Sequence, residues 1–407
     1  MRFKNKAIDI LVFNCGSSSL KYKIIRMPSG KELLWGEVER VGIKTQKTPL
    51  VTHSVLGQKP RIFEINLVDH QSAFVKIMEL IKGDSKRNKD IKFDVFAHRY
   101  VHPGNFFSKT TKVKKVVLRK LKDTLPLAPI HNLISYNLIK LCSERFPNIF
   151  QYLVFDTAFH STIPKELFTY GISRRVSKRY GLRKFGFHGI SHKYVMQEAC
   201  KFLKTSAKKQ KIISCHLGTG GSSVSAIEGG KSINNSMGFT PLEGLIMNTR
   251  SGDIDLGVVF YIMFKEKFSA EMAEVILNKK SGILGISEFS SDLRDLIKNT
   301  SKNKRKKMTF DMYVNRVKKY IGFYSLLLKK ADILIFTDSI GVNVPLVREG
   351  VCRGLDFLGI KLDKIKNNNY LKGIKDVSTA DSQAKILIIP TDEEIMIARE
   401  VYKVLEK

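Results

Sequence analysis

Apolar and polar positions alternate in two stretches that share one layout. Residues 8–26, IDILVFNCGSSSLKYKIIR, are apolar from Ile10 to Phe13 and then meet Gly16 and three serines. Beyond them Leu20, Tyr22 and Ile24 are separated by Lys21 and Lys23. Residues 211–233, KIISCHLGTGGSSVSAIEGGKSI, open with Ile212 and Ile213 and crowd Gly and Ser between Gly218 and Ser223. They then alternate through Val224, Ala226 and Ile227 up to Gly229-Gly230. A period of two on either side of a Gly-rich break predicts strand, tight turn, strand. Glycines let a backbone approach a ligand closely, and the serine hydroxyls and exposed N–H groups beside them can hold phosphate oxygens. An ordinary hairpin would carry the same pattern. Two copies about two hundred residues apart predict a chain of two related halves. Facing one another, such hairpins would clamp a nucleotide's phosphates between domains.

The rest of the chain alternates strand and helix patterns, which makes it an α/β protein. Short alternating segments lie at 31–41, 48–53 and 61–67. The spacing of Phe74, Ile77, Met78 and Ile81 predicts a helix over 69–82, followed by a charged loop over 82–92. Residues 93–101 and 151–160 read as buried strands, the second delivering Asp156. A long irregular loop over 235–255 carries Arg250, Asp253 and Asp255. Helices are expected over 266–278 and 310–330, with a turn over 281–295 between them. Residues 332–343 read as a third strand-to-loop unit and 385–389 as a buried strand. Thr391-Asp392-Glu393-Glu394 opens the last helix with an N-cap and acidic residues in its first turn.

At 407 residues there is room for two domains of ordinary size, and 43% apolar with 27% charged residues suits a soluble globular protein. No apolar run reaches the roughly 18 residues of a membrane span. The basic start (Arg2, Lys4, Lys6) precedes a short apolar run containing Asp9, which argues against a signal peptide. Cys15, Cys142, Cys200, Cys215 and Cys352 are odd in number and scattered, with no CxxC pair. That argues against a disulfide framework or zinc site and for a reducing cytoplasm. The net charge of +32 raises the question of nucleic acid. The basic runs at 109–122, 201–211 and 302–307 are dispersed, Lys-heavy and poor in aromatics, so they read as solvated faces. A positive field would still draw in phosphate substrates.

Several polar residues stand where chemistry would use them. Arg99 ends a strand, and a guanidinium binds carboxylate or phosphate bidentately. His98 and His102 have metal-pair spacing, but the strand pattern and Pro103 argue against a helix there. PLAPIHN at 126–132 is a rigid turn that places His131 at a helix start, in a structural or a catalytic role. Asp156, at its strand end, is suited to magnesium or to proton transfer. His188 and His192 lie in RKFGFHGISHKYV. The HxxxH there lacks the Glu of HExxH, and Gly186 and Gly189 suggest a loop, with His188 facing a site and His192 capping or in the core.

NCGSSSLKY, LAPIHN, VFDTAFH, FGFHGISHKYV, CHLGTGGS, SMGFTPLEGL, TRSGDID, SGILGIS and TDEEIMIARE together closely resemble the acetate kinase (acetokinase) family. They run in family order over nearly the whole chain. The resemblance implies duplicated RNase H-like (actin-like ATPase) domains with a cleft between them. Residues 1–155 plus 391–407 would form the N-terminal domain and 156–390 the nucleotide-binding C-terminal one. It implies reversible phosphoryl transfer from ATP to acetate, giving acetyl phosphate and ADP, in a cytoplasmic homodimer. Propionate and butyrate kinases are its relatives.

By that resemblance Asn14 and Glu393 hold Mg²⁺, with Mn²⁺ an alternative, and Ser17, Ser19 and Lys21 lie at the phosphates. Arg99 binds the acyl carboxylate, and Asp156 is the acid-base position. His188 and Arg250 stabilise the transferring group, supported by His131 and His216. His216, Leu217, Gly218, Thr219 and Gly220 bind the nucleotide, with Asp292, Leu293, Arg294, Ser339, Ile340, Gly341, Val342 and Asn343. Val101, Ile130, Phe187 and Pro241 line a pocket for the substrate methyl. The chain departs from the family pattern at His102-Pro103-Gly104 (usually HisGlyGly), Leu133 and Leu256 (Pro), Asn248 (Gly) and Thr219 (Asn). It departs most at 338–343, where GGIGEN is DSIGVN. The acyl site is intact and the nucleotide edge altered, so a raised KM for ATP is expected. A short-chain acyl kinase, another phosphoryl donor, a weakened regulatory member and a basic nucleic-acid binder are the other readings.

Overall fold

The structure, a computed structural model, describes residues 6–42, 48–67, 69–298 and 303–407. Arg2, Lys4 and the Lys302 end of one basic run lie outside the described residues. The chain divides into two compact units, Met1–Ala158 with Asp392–Lys407, and Phe159–Thr391. Each holds one sheet with helices on its faces.

The first unit contains β1 (Ile8–Cys15), β2 (Ser19–Met27), β3 (Lys31–Glu39), β4 (Leu50–Val55), β5 (Arg61–Glu64), β6 (Val95–Tyr100), β7 (Thr111–Lys112) and β8 (Phe150–Phe155). Their order is β5-β4-β3-β2-β1-β6-β8-β7. The second unit contains β9 (Lys211–Leu217), β10 (Ser222–Glu228), β11 (Lys231–Asn235), β12 (Ile333–Thr337), β13 (Lys375–Asp376) and β14 (Lys385–Ile388), in the order β11-β10-β9-β12-β14-β13. Both sheets contain the same motif. Three antiparallel strands (β3-β2-β1, β11-β10-β9) continue into two parallel ones (β6-β8, β12-β14). The fold is therefore α/β with a duplicated RNase H-like sheet.

The alternation that predicted the strands also assigns their faces. In β9 and β12, Ile213, Cys215, Leu334 and Phe336 join the core beneath the long helix Lys304–Leu327. Ile212, Ile333 and Ile335 join the core beneath helix Gly189–Phe202. Ser214 and His216 share the face of Ile212, so their polar atoms meet that second helix. In the first unit, Leu11, Phe13 and Phe96 pack with Phe74, Ile77 and Leu138 of helices His70–Arg87 and Pro129–Arg145. Helix Glu393–Leu405 packs on β1, β2, β6 and β8.

Several expectations need correction. The helix begins at its Asp69 cap as expected but runs on to Arg87, through half of the charged loop read at 82–92. Asp84 explains this. It is buried, its carboxylate lies 2.6 Å from His53 Nε2, and Arg61 Nη2 donates to it at 2.8 and 2.6 Å. The helix expected over 266–278 spans Ala270–Lys279 behind its Ser269 cap, and a further helix, Leu256–Glu266, ends before it at Lys267 in the left-handed region. Residues 281–295 hold short helices, Gly282–Ser287 and Leu293–Ile297, rather than a plain turn. After β12 the chain makes a helical turn, Asp338–Asn343, not a loop. The glycine-flanked segment at His188 and His192 is a loop only up to His188, the left-handed cap of helix Gly189–Phe202. The domain boundaries expected at 155/156 and 390/391 fall at 158/159 and 391/392, so Asp156 stays with the first unit. Its N–H donates to Tyr100 O and its carboxylate binds Arg99.

Three buried histidines couple this fold to pH. Desolvation pushes His98 and His160 down to about 4, and His192 well below 6.5. The unfolded chain binds these protons near 6.5, whereas the folded chain stays neutral until far lower. Stability is therefore lost as pH falls through that window, by about 1.4 kcal/mol per pH unit for each histidine. The urea midpoint is expected to drop between pH 6.5 and about 4.5, and His160→Gln should flatten the drop. A midpoint that is level over this range would contradict the assignment.

Candidate functional site

The two hairpins are copies down to their turns. Cys15 pairs with Leu20 and Leu217 with Ser222, and each pair closes a four-residue loop. In one, Gly16 N–H donates to Ser19 O at 2.9 Å, and in the other Gly218 N–H donates to Gly221 O at 3.1 Å. Two residues before each glycine stands a polar side chain, Asn14 in β1 and His216 in β9. Each meets a charged residue from the end of the neighbouring parallel strand: Arg99 from β6 and Asp338 from beyond β12.

In the first unit, Arg99 organises the site. Its Nε and Nη2 donate to the two Asp156 carboxylate oxygens at 3.0 and 2.5 Å, and Nη1 donates to Asn14 Oδ1 at 3.0 Å. Glu393 Oε2 lies 3.6 Å from Nη1. Asn14 Nδ2 in turn donates to Glu393 Oε2 at 2.9 Å and to Glu394 Oε1 at 2.7 Å. Against the desolvation of burial, the Asp156 and Glu393 carboxylates hold the guanidinium above its ordinary value. Desolvation, Glu393 and Asp392 push the buried Glu394 carboxyl up. Asp392 caps helix Glu393–Leu405 by accepting from Ile395 N–H, so capping and site are built by adjacent residues. Lys23 binds Asp392 and Glu32.

Asn14, Asp156 and Glu393 offer oxygen donors only. Such a set suits a hard divalent cation that keeps several waters. Among the described residues no group of three or more His, Cys, Asp and Glu is arranged as a metal cage. Ser17 and Lys21 are exposed and Ser19 half-buried, at the first loop and its β2 edge. His131 is the third residue of helix Pro129–Arg145, Val101 is buried and Ile130 exposed. His98 bonds Gln151 and His102 Nδ1 accepts from Gly104 N–H, so these two do not act as a metal pair.

In the second unit, imidazoles and hydroxyls form a connected network. His188 and His216 stack with ring centroids 4.2 Å apart. Ser223 Oγ joins His188 Nδ1 (2.9 Å) to His192 Nε2 (2.8 Å), and Ser214 Oγ holds His192 Nδ1 at 2.9 Å. Ser191 Oγ lies 2.9 Å from both His216 Nδ1 and Thr391 Oγ1. Arg250 approaches from the 236–255 loop, where Nη1 donates to Pro241 O at 3.3 Å and desolvation lowers its pKa. A methyl group on Gly221 would lie 3.3 Å from His188 Nε2 and 3.5 Å from Arg250 Nη1. The two therefore converge on the second hairpin's loop.

That loop also meets the altered segment. Thr219 N–H donates to Ser339 Oγ at 3.1 Å, and His216 Nε2 lies 3.0 Å from Asp338 Oδ2. Ile340, Gly341 and Val342 are buried and Asn343 exposed. Arg348, wholly buried, donates to the carbonyls of Gly341 and Val342 and anchors the far end of the turn. Phe187 is buried, and its carbonyl lies 2.9 Å from His160 Nε2.

Other candidates are engaged elsewhere. Asp292 and Arg294 bind each other, with Leu293 buried between them in sequence. Asp253 ties the Arg250 loop to Lys319 and Tyr320, and Asp255 caps helix Leu256–Glu266. Ser191, Ser214 and Ser223 were not among the expected site residues. Their signal was the serine placed three residues after His188 and the hydroxyls on the His216 face of the hairpin.

The Acetokinase family profile matches residues 9–399. The chain is similar to an acetate kinase of Thermoanaerobacterium thermosaccharolyticum, 44% identical over 98% of this chain and 99% of that one. Its structure resembles that of Porphyromonas gingivalis acetate kinase (36% identity, 98% and 100% covered, TM-score 0.88). It also resembles a propionate kinase from Francisella tularensis (35%, 97% and 98% covered, TM-score 0.87). Two hairpin loops on a duplicated sheet, matched over nearly the full length, make this chain a member of the acetokinase family.

Proposed function

We propose that the protein is an acetate kinase that transfers the terminal phosphoryl group of ATP reversibly to acetate. Full-length similarity to proteins named acetate kinase carries this reading, and the geometry supports it. An acetate oxygen attacks the terminal phosphorus, the bond to the bridging oxygen breaks, and ADP leaves. Acetate is already ionised at neutral pH, so no proton has to be removed. Such a transfer needs positioning and charge neutralisation more than covalent help.

The first unit supplies the acceptor side. Arg99 uses three of its five N–H donors in hydrogen bonds among the described residues. A planar guanidinium of this kind suits the two oxygens of a carboxylate. Asn14 and Glu393 would hold the divalent cation, Mg²⁺ or Mn²⁺, with Asp156 beside them. When bound, that cation spreads the negative charge of the phosphates. Val101, Ile130, Phe187 and Pro241 are assigned to the acyl methyl by the family resemblance. Ser17, Ser19 and Lys21 face phosphate oxygens, with His131 in support.

The second unit supplies the donor side. His216, Leu217, Gly218, Thr219 and Gly220 receive the nucleotide, with Asp292 to Arg294 and Ser339 to Asn343. His188 and Arg250 neutralise the charge that grows on the transferring group, where fixed donors act with little reorganisation. The buried thiols fit a cytoplasmic protein. No described helix is long and apolar enough to cross a membrane. Helix Leu256–Glu266 has no buried residue, and Leu256, Phe260, Tyr261 and Phe264 are 67, 66, 63 and 81% exposed. An apolar face this continuous marks an interface, and we assign it to a second copy of the chain.

A coupled assay of acetyl phosphate formation, with ATP, GTP and pyrophosphate as donors, tests the reading, and turnover with ATP and acetate is expected. Arg250→Ala should lower kcat about a hundredfold or more while KM for acetate changes little. Near-normal turnover would remove Arg250 from the mechanism. Acetate should exceed butyrate in kcat/KM, since each added methylene is worth about 1–3 kcal/mol in an apolar pocket. Equal values would show the pocket to be misassigned, and a preference for propionate would favour the short-chain acyl kinase reading. By light scattering the wild type should be a dimer and Phe260→Asp/Phe264→Asp a monomer. A monomeric wild type would refute the assigned interface.

A further inference from the structure

We propose that Asp338 is an internal anion, seated where the second hairpin's loop would take a donor phosphate, and that it sets how tightly the protein holds its nucleotide. The proposal rests on the reading above, in which the nucleotide binds the second unit.

The backbone delivers this side chain. β12 ends at Thr337, which pairs with His216. The next residue, Asp338, has φ +62°, a left-handed conformation that favours glycine. This turn directs the carboxylate back across the end of the sheet. Oδ2 reaches His216 Nε2 at 3.0 Å and rests on the Cα of Gly218, where an added Cβ would lie 2.2 Å from it. Oδ1 accepts from the N–H of Ser339 at 2.6 Å. Beside it, the Ser339 hydroxyl accepts from Thr219 N–H.

Two backbone N–H groups and one imidazole nitrogen thus converge at the glycine loop. These are the donors a phosphate would use. All three are already bonded to oxygens of the chain itself, and one of those oxygen carriers is a full negative charge. A phosphate that enters must displace the carboxylate or approach it as a like charge. The Asp338 side chain is 32% exposed, so rotation toward solvent is open to it. Arg99, Asp156 and Asn14, the residues assigned to the acetate side, belong to the other unit, so KM for acetate serves as the control.

Two substitutions separate charge from shape. Asp338→Asn keeps the acceptor for Ser339 N–H and removes the charge. Asp338→Gly removes the side chain and suits the positive φ. Calorimetric titration with Mg·ADP reads the effect without turnover. Both variants are expected to bind ADP about tenfold more tightly than the wild type, the scale of removing one like charge near a surface. KM for ATP should fall in parallel and KM for acetate stay unchanged. If both variants bind ADP as the wild type does, or more weakly, the proposal is overturned. Tighter binding by the Gly variant alone would also overturn it, because shape and not charge would then be responsible. A wild type that binds ADP but phosphorylates no carboxylate would refute the acetate kinase reading, and the titrations would still decide the role of Asp338.

Discussion

The first unit depends on one half-buried guanidinium. Arg99 carries a charge that would be costly to bury alone, and Asp156 and Glu393 carry charges that would be costly without it. The three are held in register by strands that end together. β6 delivers Arg99 next to Asn14 of β1, β8 delivers Asp156, and helix Glu393–Leu405 brings its first turn to the same point. Asn14 completes the set by accepting from the guanidinium with its oxygen and donating to two carboxylates with its nitrogen. An amide can do both at once, whereas an aspartate at that position would add a like charge to three others.

The second unit repeats the plan with different chemistry. His216 occupies the position of Asn14, and its charged neighbour from the parallel strand is an anion rather than a cation. The same backbone motif therefore supports a guanidinium–carboxylate cluster in one half and a histidine–carboxylate pair in the other. Serines hold the histidines in place. A hydroxyl can donate and accept, so Ser223 satisfies two rings from opposite sides without introducing charge.

Much of this was legible in the sequence, because the local signals agreed with the fold. The period-two alternation around Gly16 and Gly218 placed both hairpins, and the alternation also specified which residues face which helix. The quoted motifs pointed to Arg99, Asp156, His188 and Arg250. What was not legible depended on distant partners. The end of helix His70–Arg87 rests on Asp84 meeting His53 and Arg61, which a local charge pattern reads as a solvated loop. Helix Leu256–Glu266 was not expected, because Leu256, Phe260, Tyr261 and Phe264 stay exposed and give no core-facing stripe. The roles of Ser191 and Ser223 follow from sheet register, and the direction of the Asp338 side chain from a backbone angle. Neither is encoded in nearby spacing.

The first unit is assembled from both ends of the chain, and this bears on the order in which it is made. Asn14 waits for partners 379 and 380 residues further on. At ribosomal speeds of about 5–20 residues per second, roughly 20–80 s separate the emergence of the amide from that of its carboxylates. The whole second unit is synthesised in the interval and can fold as a body of its own. Until residue 393 appears, β1 to β8 form a sheet that lacks its covering helix, with Ile397 and Val401 not yet in place. A nascent chain therefore exposes apolar surface on that sheet for most of its synthesis, and a prematurely terminated one keeps it exposed. Quality control can read that uncovered face as the mark of an unfinished molecule, and closure of the last helix removes the mark in the same step that completes the Asn14 site.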